Sequence, residues 1–318
     1  MDDEKEIKEA IEKAEKLYVL LTDKNLNYDA IFNLILSTNN YERQIMQDHI
    51  ERNHSRSIIE AIEVQFSGNL REILIYMFYN PYELDARLLH TGFHCSKIDT
   101  RLIIEIFATR PKWYLDLINQ QYKYLFNISL KSELEKKRNK SFYKCLLCLF
   151  ETNREQGNHL DINGAEKIVE EIFKNGLKTY GTDLGLFKKV FAEKSREDFV
   201  LISRVFYKNN PKKKSLYQAC DDLVGGDSKE LLKALVFAIC DPSHYFAHIL
   251  KRSMVGIGTN TKALNRILAL RSEIDIDVIR ERYLGETGKT LINDIKQNTS
   301  GDYSKFLCML ANMNPQTE

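Results

Sequence analysis

Met254-Val255-Gly256-Ile257-Gly258-Thr259-Asn260 decides how the rest of this 318-residue chain is read. Before it, Tyr245, Ile249, Leu250 and Met254 recur at helical spacing. After it, Leu264, Ile267, Leu268 and Arg271 fall at i, i+3, i+4 and i+7. A Gly-x-Gly between two helices lets the backbone take positive φ and turns its carbonyls outward into a concave shell. Such a shell suits a hard cation that takes about six to eight oxygens. The same residues also make an ordinary turn between helices closed by a glycine cap, so the loop is judged by its company. About forty residues on lies a second short string, Gln297-Asn298-Thr299-Ser300-Gly301-Asp302-Tyr303.

Composition points to helix almost throughout. Only 5 Pro and 14 Gly interrupt the chain, and every segment repeats its apolar residues near 3.6 with no alternation. The length fits two average domains or one elongated repeat array. A net charge of +1 gives no whole-molecule field that calls for nucleic acid. The acidic, polar start Met1-Asp2-Asp3-Glu4 opens a helix and is not a signal peptide, and no run of about eighteen apolar residues spans a bilayer. Cys145-x-x-Cys148 puts both thiols on one buried helical face with no strand before it, so it reads as core and not as a redox pair. The expected protein is cytosolic, reduced and all-α.

A long repeat runs through this pattern. Asn80-Pro81 and Asp241-Pro242 each set a capping residue before a proline at a helix start, and they stand 161 residues apart. That is twice a unit of roughly eighty residues. Small-residue breaks at Ser67-Gly68, Lys140-Ser141, Gly225-Gly226 and Ser300-Gly301 each precede an apolar helix. The expected division is a tail at 1–6, repeats at 7–80, 81–151, 163–241 and 242–318, and a polar connector at 152–162.

With these repeats in view the chain resembles the annexin family. The fourth repeat carries the likeness most fully, in Gly256-Ile257-Gly258-Thr259-Asn260, Leu270-Arg271-Ser272-Glu273-Ile274-Asp275, Ile279-Arg280-Glu281-Arg282-Tyr283 and Thr299-Ser300-Gly301-Asp302-Tyr303. Tyr180-Gly181-Thr182-Asp183, Glu42-Arg43-Gln44, Phe66-Ser67-Gly68 and Ala108-Thr109-Arg110 extend it to the other three, so it covers 7–313. The resemblance implies four five-helix repeats in a curved, right-handed superhelical disc, with calcium loops that bridge to acidic phospholipid. The short N-terminal segment and eroded loops are similar to a divergent member, such as the alpha-giardins of protists.

By the same resemblance, a calcium site of the main type takes carbonyls from the glycine loop and a bidentate acid three residues before the later Ser/Thr-Gly glycine. The fourth repeat keeps the loop, so Met254, Gly256 and Gly258 offer carbonyls, while the acid position holds Asn298, a neutral and weaker ligand. The third repeat keeps Thr179 and Gly181, with Asp222 as its acid beside an apparent insertion at Lys212–Lys214. The first has Thr22-Asp23-Lys24-Asn25-Leu26 with Gln65, and the second His94-Cys95-Ser96-Lys97-Ile98 with Lys137, neither a calcium ligand set. Lys136, Lys137, Arg138 and Lys140 form either solvated surface or a patch that touches lipid phosphate directly. Tyr180 and Ile257, at loop tips, are expected to dip into the membrane interface.

Other chemistry carries less weight. His90 with His94 and His244 with His248 have zinc-compatible spacing but lack the glutamate of His-Glu-x-x-His, so solvated or capping roles are expected. Asp161-Ile162-Asn163-Gly164 lacks the rest of an EF-hand, and Asn163 is read as a helix cap. Trp113 is expected to be buried at a helix start. No acid/base pair or nucleophile cluster stands out, so no catalysis is expected. Two functions follow: a calcium-dependent, peripheral phospholipid binder at the cytosolic face, or a calcium-independent scaffold of the same fold that binds cytoskeletal or other protein.

Overall fold

With so few residues that stop a helix, the chain has to end its helices by capping, and it does so at regular intervals. The computed structural model describes residues 2–175, 184–222, 225–256 and 258–315. Among the described residues it contains twenty α-helices and no strand. The first repeat holds α1 (Asp2–Thr22), α2 (Tyr28–Leu36), α3 (Asn40–Asn53), α4 (Ile58–Gln65) and α5 (Gly68–Phe78). The second holds α6 (Pro81–His94), α7 (Thr100–Thr109), α8 (Lys112–Phe126), α9 (Leu130–Glu135) and α10 (Ser141–Glu151). In the third stand α11 (Ile162–Asn175), α12 (Leu184–Phe187, continued by a π turn, Lys188–Glu193), α13 (Arg196–Asn209), α14 (Leu216–Ala219) and α15 (Gly226–Cys240). The fourth holds α16 (Pro242–Met254), α17 (Thr261–Arg271), α18 (Ile276–Thr287), α19 (Leu291–Asn298) and α20 (Gly301–Ala311).

The repeat is written most plainly in its caps. A hydroxyl precedes the fourth helix of every repeat and accepts the N–H three residues on. Ser57 takes Glu60 N–H at 3.1 Å, Ser129 takes Ser132 at 3.1 Å, Ser215 takes Gln218 at 3.2 Å and Thr290 takes Asn293 at 3.3 Å. Asn27, Asp99 and Asn260 cap α2, α7 and α17 in the same way.

Two compact bodies emerge. The first comprises Met1–Pro81 and Phe246–Glu318. Its core runs from Leu17, Phe32 and Ile62 to Leu264, Ile279 and Phe306 without a break, with the Phe32 and Phe306 rings 4.9 Å apart. Each fully buried large side chain of this kind contributes roughly 1.5–3 kcal/mol. A buried polar knot joins α5, α17 and α20. Asn265 donates to Glu72 at 2.7 Å and accepts from the Tyr303 hydroxyl at 2.7 Å. Arg43, 1% exposed, donates to the carbonyls of Met77 (2.7 Å) and Thr38 and pairs with Glu273.

The second body is Tyr82–Tyr245. Here α7 packs on α15 and α11 on α13, burying Ile103 and Ile106 with Leu231 and Leu235, and Val169 with Ile202. Residues 152–161 run without helix and are strapped down. Asp198 accepts the N–H groups of His159 and Leu160, both at 3.0 Å, and Arg154 donates to the carbonyls of Phe191 (2.5 Å) and Lys194.

Two local expectations are corrected here. The cap of α11 is Asp161, whose Oδ1 accepts Gly164 N–H at 2.7 Å; Asn163 lies two residues farther on, already inside the helix. Trp113 stands at the start of α8, but it is 62% exposed. The buried stripe of that helix is Leu115, Ile118 and Tyr122. Two residues before Leu115 a side chain points roughly 200° away from that stripe.

One pair of arginines, 161 residues apart, tests the packing. Arg110 pairs with buried Asp85 at 2.7 Å and covers the Tyr114 ring at 5.5 Å. Arg271 pairs with Asp275 at 2.7 Å and covers the Phe246 ring at 4.7 Å. Acid and aromatic have exchanged places around the same cation. The Asp85 pair is the drier one: side-chain exposures are 6% and 0%, against 17% and 16% for the other. Asp85→Ala strands a buried guanidinium and is expected to cost about 3–5 kcal/mol. Asp275→Ala should cost clearly less, and the two midpoints of chemical unfolding compare them.

Candidate functional site

Between α16 and α17 the chain makes a short, tightly closed loop. Asn260 N–H donates to Ser253 O at 2.7 Å, and Asn260 Oδ1 then receives Ala263 N–H at 3.2 Å. Inside that closure Gly256 has φ 105° and Gly258 has φ 89°. Neither has any heavy atom within 4 Å of where a Cβ would stand, so the loop is open over both. A side chain at such φ is strained, so the glycines are what let this loop form. Ile257 lies outside the described residues.

The second string meets the loop through one hydrogen bond. The Thr259 hydroxyl donates to the main-chain carbonyl of Asn298 at 3.0 Å, which fixes the end of α19 beside the loop. The Asn298 amide donates to Asp294 O at 2.8 Å. Its oxygen has no hydrogen-bond partner among the described residues. Met254, Gly256, Gly258 and Asn298 are therefore brought to one loop and the helix end bonded to it, open to solvent over the glycines, and their candidate donors are all oxygens, the type a hard cation takes.

The second repeat builds the same turn on other residues. Asp99 N–H donates to Gly92 O at 3.0 Å, the counterpart of Asn260 to Ser253, and Asp99 caps Leu102 N–H at 3.1 Å. Gly256 and Gly258 correspond to Cys95 and Lys97, and Thr259 to Ile98. Among the described residues only Asn127 and Lys213 are non-glycines at positive φ, so the open carbonyl shell is not reproduced. The Cys95 thiol donates to the Lys97 carbonyl at 2.7 Å, and no hydroxyl ties this loop to α9. Lys137, the counterpart of Asn298, lays its ammonium 5.1 Å from the Phe93 ring and 5.9 Å from the Tyr143 ring. Phe93 is the counterpart of Met254. A cation of the protein's own thus sits beside the loop, held by two aromatic faces.

The rest of the expected basic patch divides. Lys136 pairs with Glu133 at 3.1 Å, a carboxylate only 5% exposed that also lies 3.5 Å from His94. Arg138 and Lys140 are exposed and carry no ion pair among the described residues. His90 is half-buried: its ring stacks on Phe126 at 3.8 Å, and burial with the neighbouring His94 lowers its pKa. His248 bonds Glu286 at 2.8 Å. Burial pushes the Cys145 thiol up to about 12, which keeps it protonated and inert.

In the third repeat Asp222 does not stand free. Lys214 pairs with it at 2.5 Å and holds its carboxyl below the usual range. The turn that aims Lys214 there is set by Asn210, which accepts Lys212 N–H and donates to Lys214 O, both at 3.0 Å, and by Lys213 at φ 51°. Thr179, Tyr180 and Gly181 lie outside the described residues. The first repeat has no glycine in its loop, and Asp23 spends its carboxylate on Asn25 N–H at 3.0 Å. Sequence reasoning missed Thr259 and the seat of Lys137. Thr259 was within reach, since the last carbonyls of a helix lack internal partners and a hydroxyl opposite them can donate.

Known proteins resemble this chain along nearly its whole length. The family profile described as Annexin matches residues 245–310, the fourth repeat. Annexin A4 of Canis lupus familiaris is 28% identical over 301 residues, covering 95% of this chain and 94% of that protein. The structure of the K16A mutant of annexin A8 superposes with a TM-score of 0.87 at 26% identity, covering 96% of this chain and 95% of that one. Alpha-14 giardin, solved with calcium bound, shares the fold alone: TM-score 0.80 at 15% identity, covering 95% and 99%.

The loop's dependence on its glycines is directly measurable. Gly258→Val forces a β-branched residue to φ near 89°, a strain of about 1–3 kcal/mol. The expected result is loss of hydrogen-exchange protection at the Asn260 amide, with a small drop in global stability. Unchanged protection would mean that the loop closes without its glycines.

Proposed function

Since the chain belongs to the annexin family, we propose that it is a non-catalytic, calcium-dependent binder of acidic phospholipid, acting peripherally on the cytoplasmic face of a membrane. The observation that carries this reading is the open loop at Gly256 and Gly258, bonded through Thr259 to the end of α19. Carbonyls of Met254, Gly256 and Gly258 with the Asn298 side chain would hold the ion. Calcium supplies there the positive charge that a lipid phosphate can bridge to. Because Asn298 brings no charge, the site is expected to be weak. Thr179 and Gly181 with Asp222 make a second, weaker candidate, at which Lys214 competes for the carboxylate. No helix among the described residues is long and apolar enough to cross a membrane, so attachment falls to such loops. Val255, 67% exposed beside the glycines, and the neighbouring Ile257 offer apolar contact with the interface, as Tyr180 does in the third repeat.

The second repeat contributes without calcium. Its ammonium at Lys137, with Lys136, Arg138 and Lys140, presents fixed positive charge next to a loop that cannot take the ion. Each such cation near an anionic leaflet adds on the order of 1 kcal/mol. That lysines stand at or over two of the four acid positions, Lys137 and Lys214, also favours a second reading. In it the fold serves as a calcium-independent scaffold for protein, the cytoskeleton being one class of partner. Co-sedimentation with acidic vesicles across a calcium titration separates the two readings. Attachment that calcium never changes would support the scaffold.

Two substitutions refine the test. Asn298→Asp removes the amide that bonds Asp294 O and turns a carboxylate towards that carbonyl. In chelator the variant should therefore lose about 1 kcal/mol. With calcium it should gain stability beyond the parent, because an ion that binds only the folded state stabilises it. Its vesicle binding should also begin at lower calcium. Identical calcium dependence in both proteins would remove the fourth repeat from the proposal. Exchanging Lys136, Lys137, Arg138 and Lys140 together for Gln should abolish salt-sensitive attachment to anionic vesicles in chelator. Attachment that persists at low salt would return the patch to ordinary solvated surface.

A further inference from the structure

The second body also contains a groove whose lining includes none of the candidate calcium ligands. It has a volume of about 750 Å³ and runs along one face of α10 to the start of α12, within the range typical of small-molecule sites. Its floor is apolar: Leu147 and Cys148 from α10 and Leu184 from α12. Burial raises the Cys148 pKa, so the thiol stays neutral and brings no negative charge to the wall. Three cations rim it, Arg138, Lys144 and Lys188.

Charge matching around this groove is uneven. Glu151 is its one acid among the described residues, and Lys131, outside the groove, already binds that carboxylate at 2.6 Å. Lys188 pairs with Glu193 at 3.1 Å through half-exposed ends, a contact worth little in water. Arg138 and Lys144 have no ion pair among the described residues. The groove therefore carries an excess of positive charge above an apolar floor. An inorganic anion would satisfy the charge and leave the floor wet; a hydrocarbon would do the reverse. Arginine and lysine side by side favour phosphate, the first by its planar fork and the second as a point charge.

We propose that this groove binds an organic phosphate carrying at least two negative charges, the phosphate among Arg138, Lys144 and Lys188 and the carbon skeleton against Leu147 and Leu184. The ligand is either a soluble phosphate ester or the headgroup of a phosphomonoester lipid. The inference does not rest on the calcium reading, since every arm of its test is run in chelator.

Calorimetry is done on the full chain without vesicles, with short-chain, water-soluble phosphatidic acid and with inorganic sulfate as the two probes. One site per chain is expected for the first probe and no saturable binding for the second. Lys144→Gln with Lys188→Gln should weaken binding about tenfold or more. Leu147→Trp, which fills the floor, should do the same. Lys16→Gln with Lys24→Gln, remote in sequence and in the other body, should leave affinity unchanged. The paired lysine variant alters only exposed positions, so it keeps the test valid even if Leu147→Trp does not fold. No saturable binding, equal loss in the remote control, or equal affinity for sulfate would overturn the proposal. The source is read with phosphatidylcholine vesicles doped with phosphatidic acid. If the Lys144/Lys188 variant also detaches from them, the groove takes the lipid headgroup; if only soluble binding falls, it takes a free phosphate ester.

Discussion

Each helix leaves about four backbone N–H groups without an internal partner, and twenty helices among the described residues make that the dominant local demand on this chain. It is met by the same side chains at the same places. The hydroxyls of Ser57, Ser129, Ser215 and Thr290, and the Asx residues Asn27, Asp99 and Asn260, fix where helices start. What lies between fixed starts and stops is the loops. The candidate site is therefore a by-product of capping: Asn260 closes the glycine loop with its N–H and opens α17 with its side chain. Thr259, one residue earlier, reaches across to α19.

That division of labour explains how two repeats share a turn while the residues exposed on it differ. The Asp99 turn closes like the Asn260 turn, yet every residue that would face an ion differs. Cap and closure involve Asp99, Gly92 and Leu102, which pack or bond within the fold. The Cys95 thiol joins this network only from outside, through the carbonyls of Gly92 and Lys97, and the Lys137 side chain takes no part in it. Lys137 then finds a seat on Phe93 and Tyr143 that needs no solute, since an ammonium over two rings is stabilised by the ring quadrupoles.

Much of this was legible in the sequence, and the rest resisted for particular reasons. The helical class followed from apolar period and from scarce Pro and Gly, and the glycine loop was visible because only glycine takes positive φ freely. Resemblance in the fourth repeat supplied the family, and the profile match falls on that same stretch. Trp113 was misplaced because a helix start says nothing about which way the helix faces; the stripe through Leu115 and Ile118 does. Asn163 lost the cap to Asp161, since two Asx residues two apart both satisfy the rule and only the backbone chooses. The hold of Lys214 on Asp222 was hidden because it depends on the turn at Asn210 and on Lys213 at positive φ, a rare state for lysine.

The arginines show what kind of change this fold tolerates at depth. Around Arg110 the acid comes from α6 and the ring from α8; around Arg271 the ring comes from α16 and the acid from just before α18. A buried guanidinium needs a counter-charge and gains from a flat face, but neither need fixes which neighbour supplies which. Losing the acid alone would strand the charge. Supplying it from the other side keeps the centre neutral while the two positions exchange chemistry. Two repeats of one chain can thus differ at both positions while the electrostatic solution around the arginine persists. At a solvent-facing loop no such requirement operates, because water satisfies whatever is left unpaired. The fold is therefore kept by what is buried.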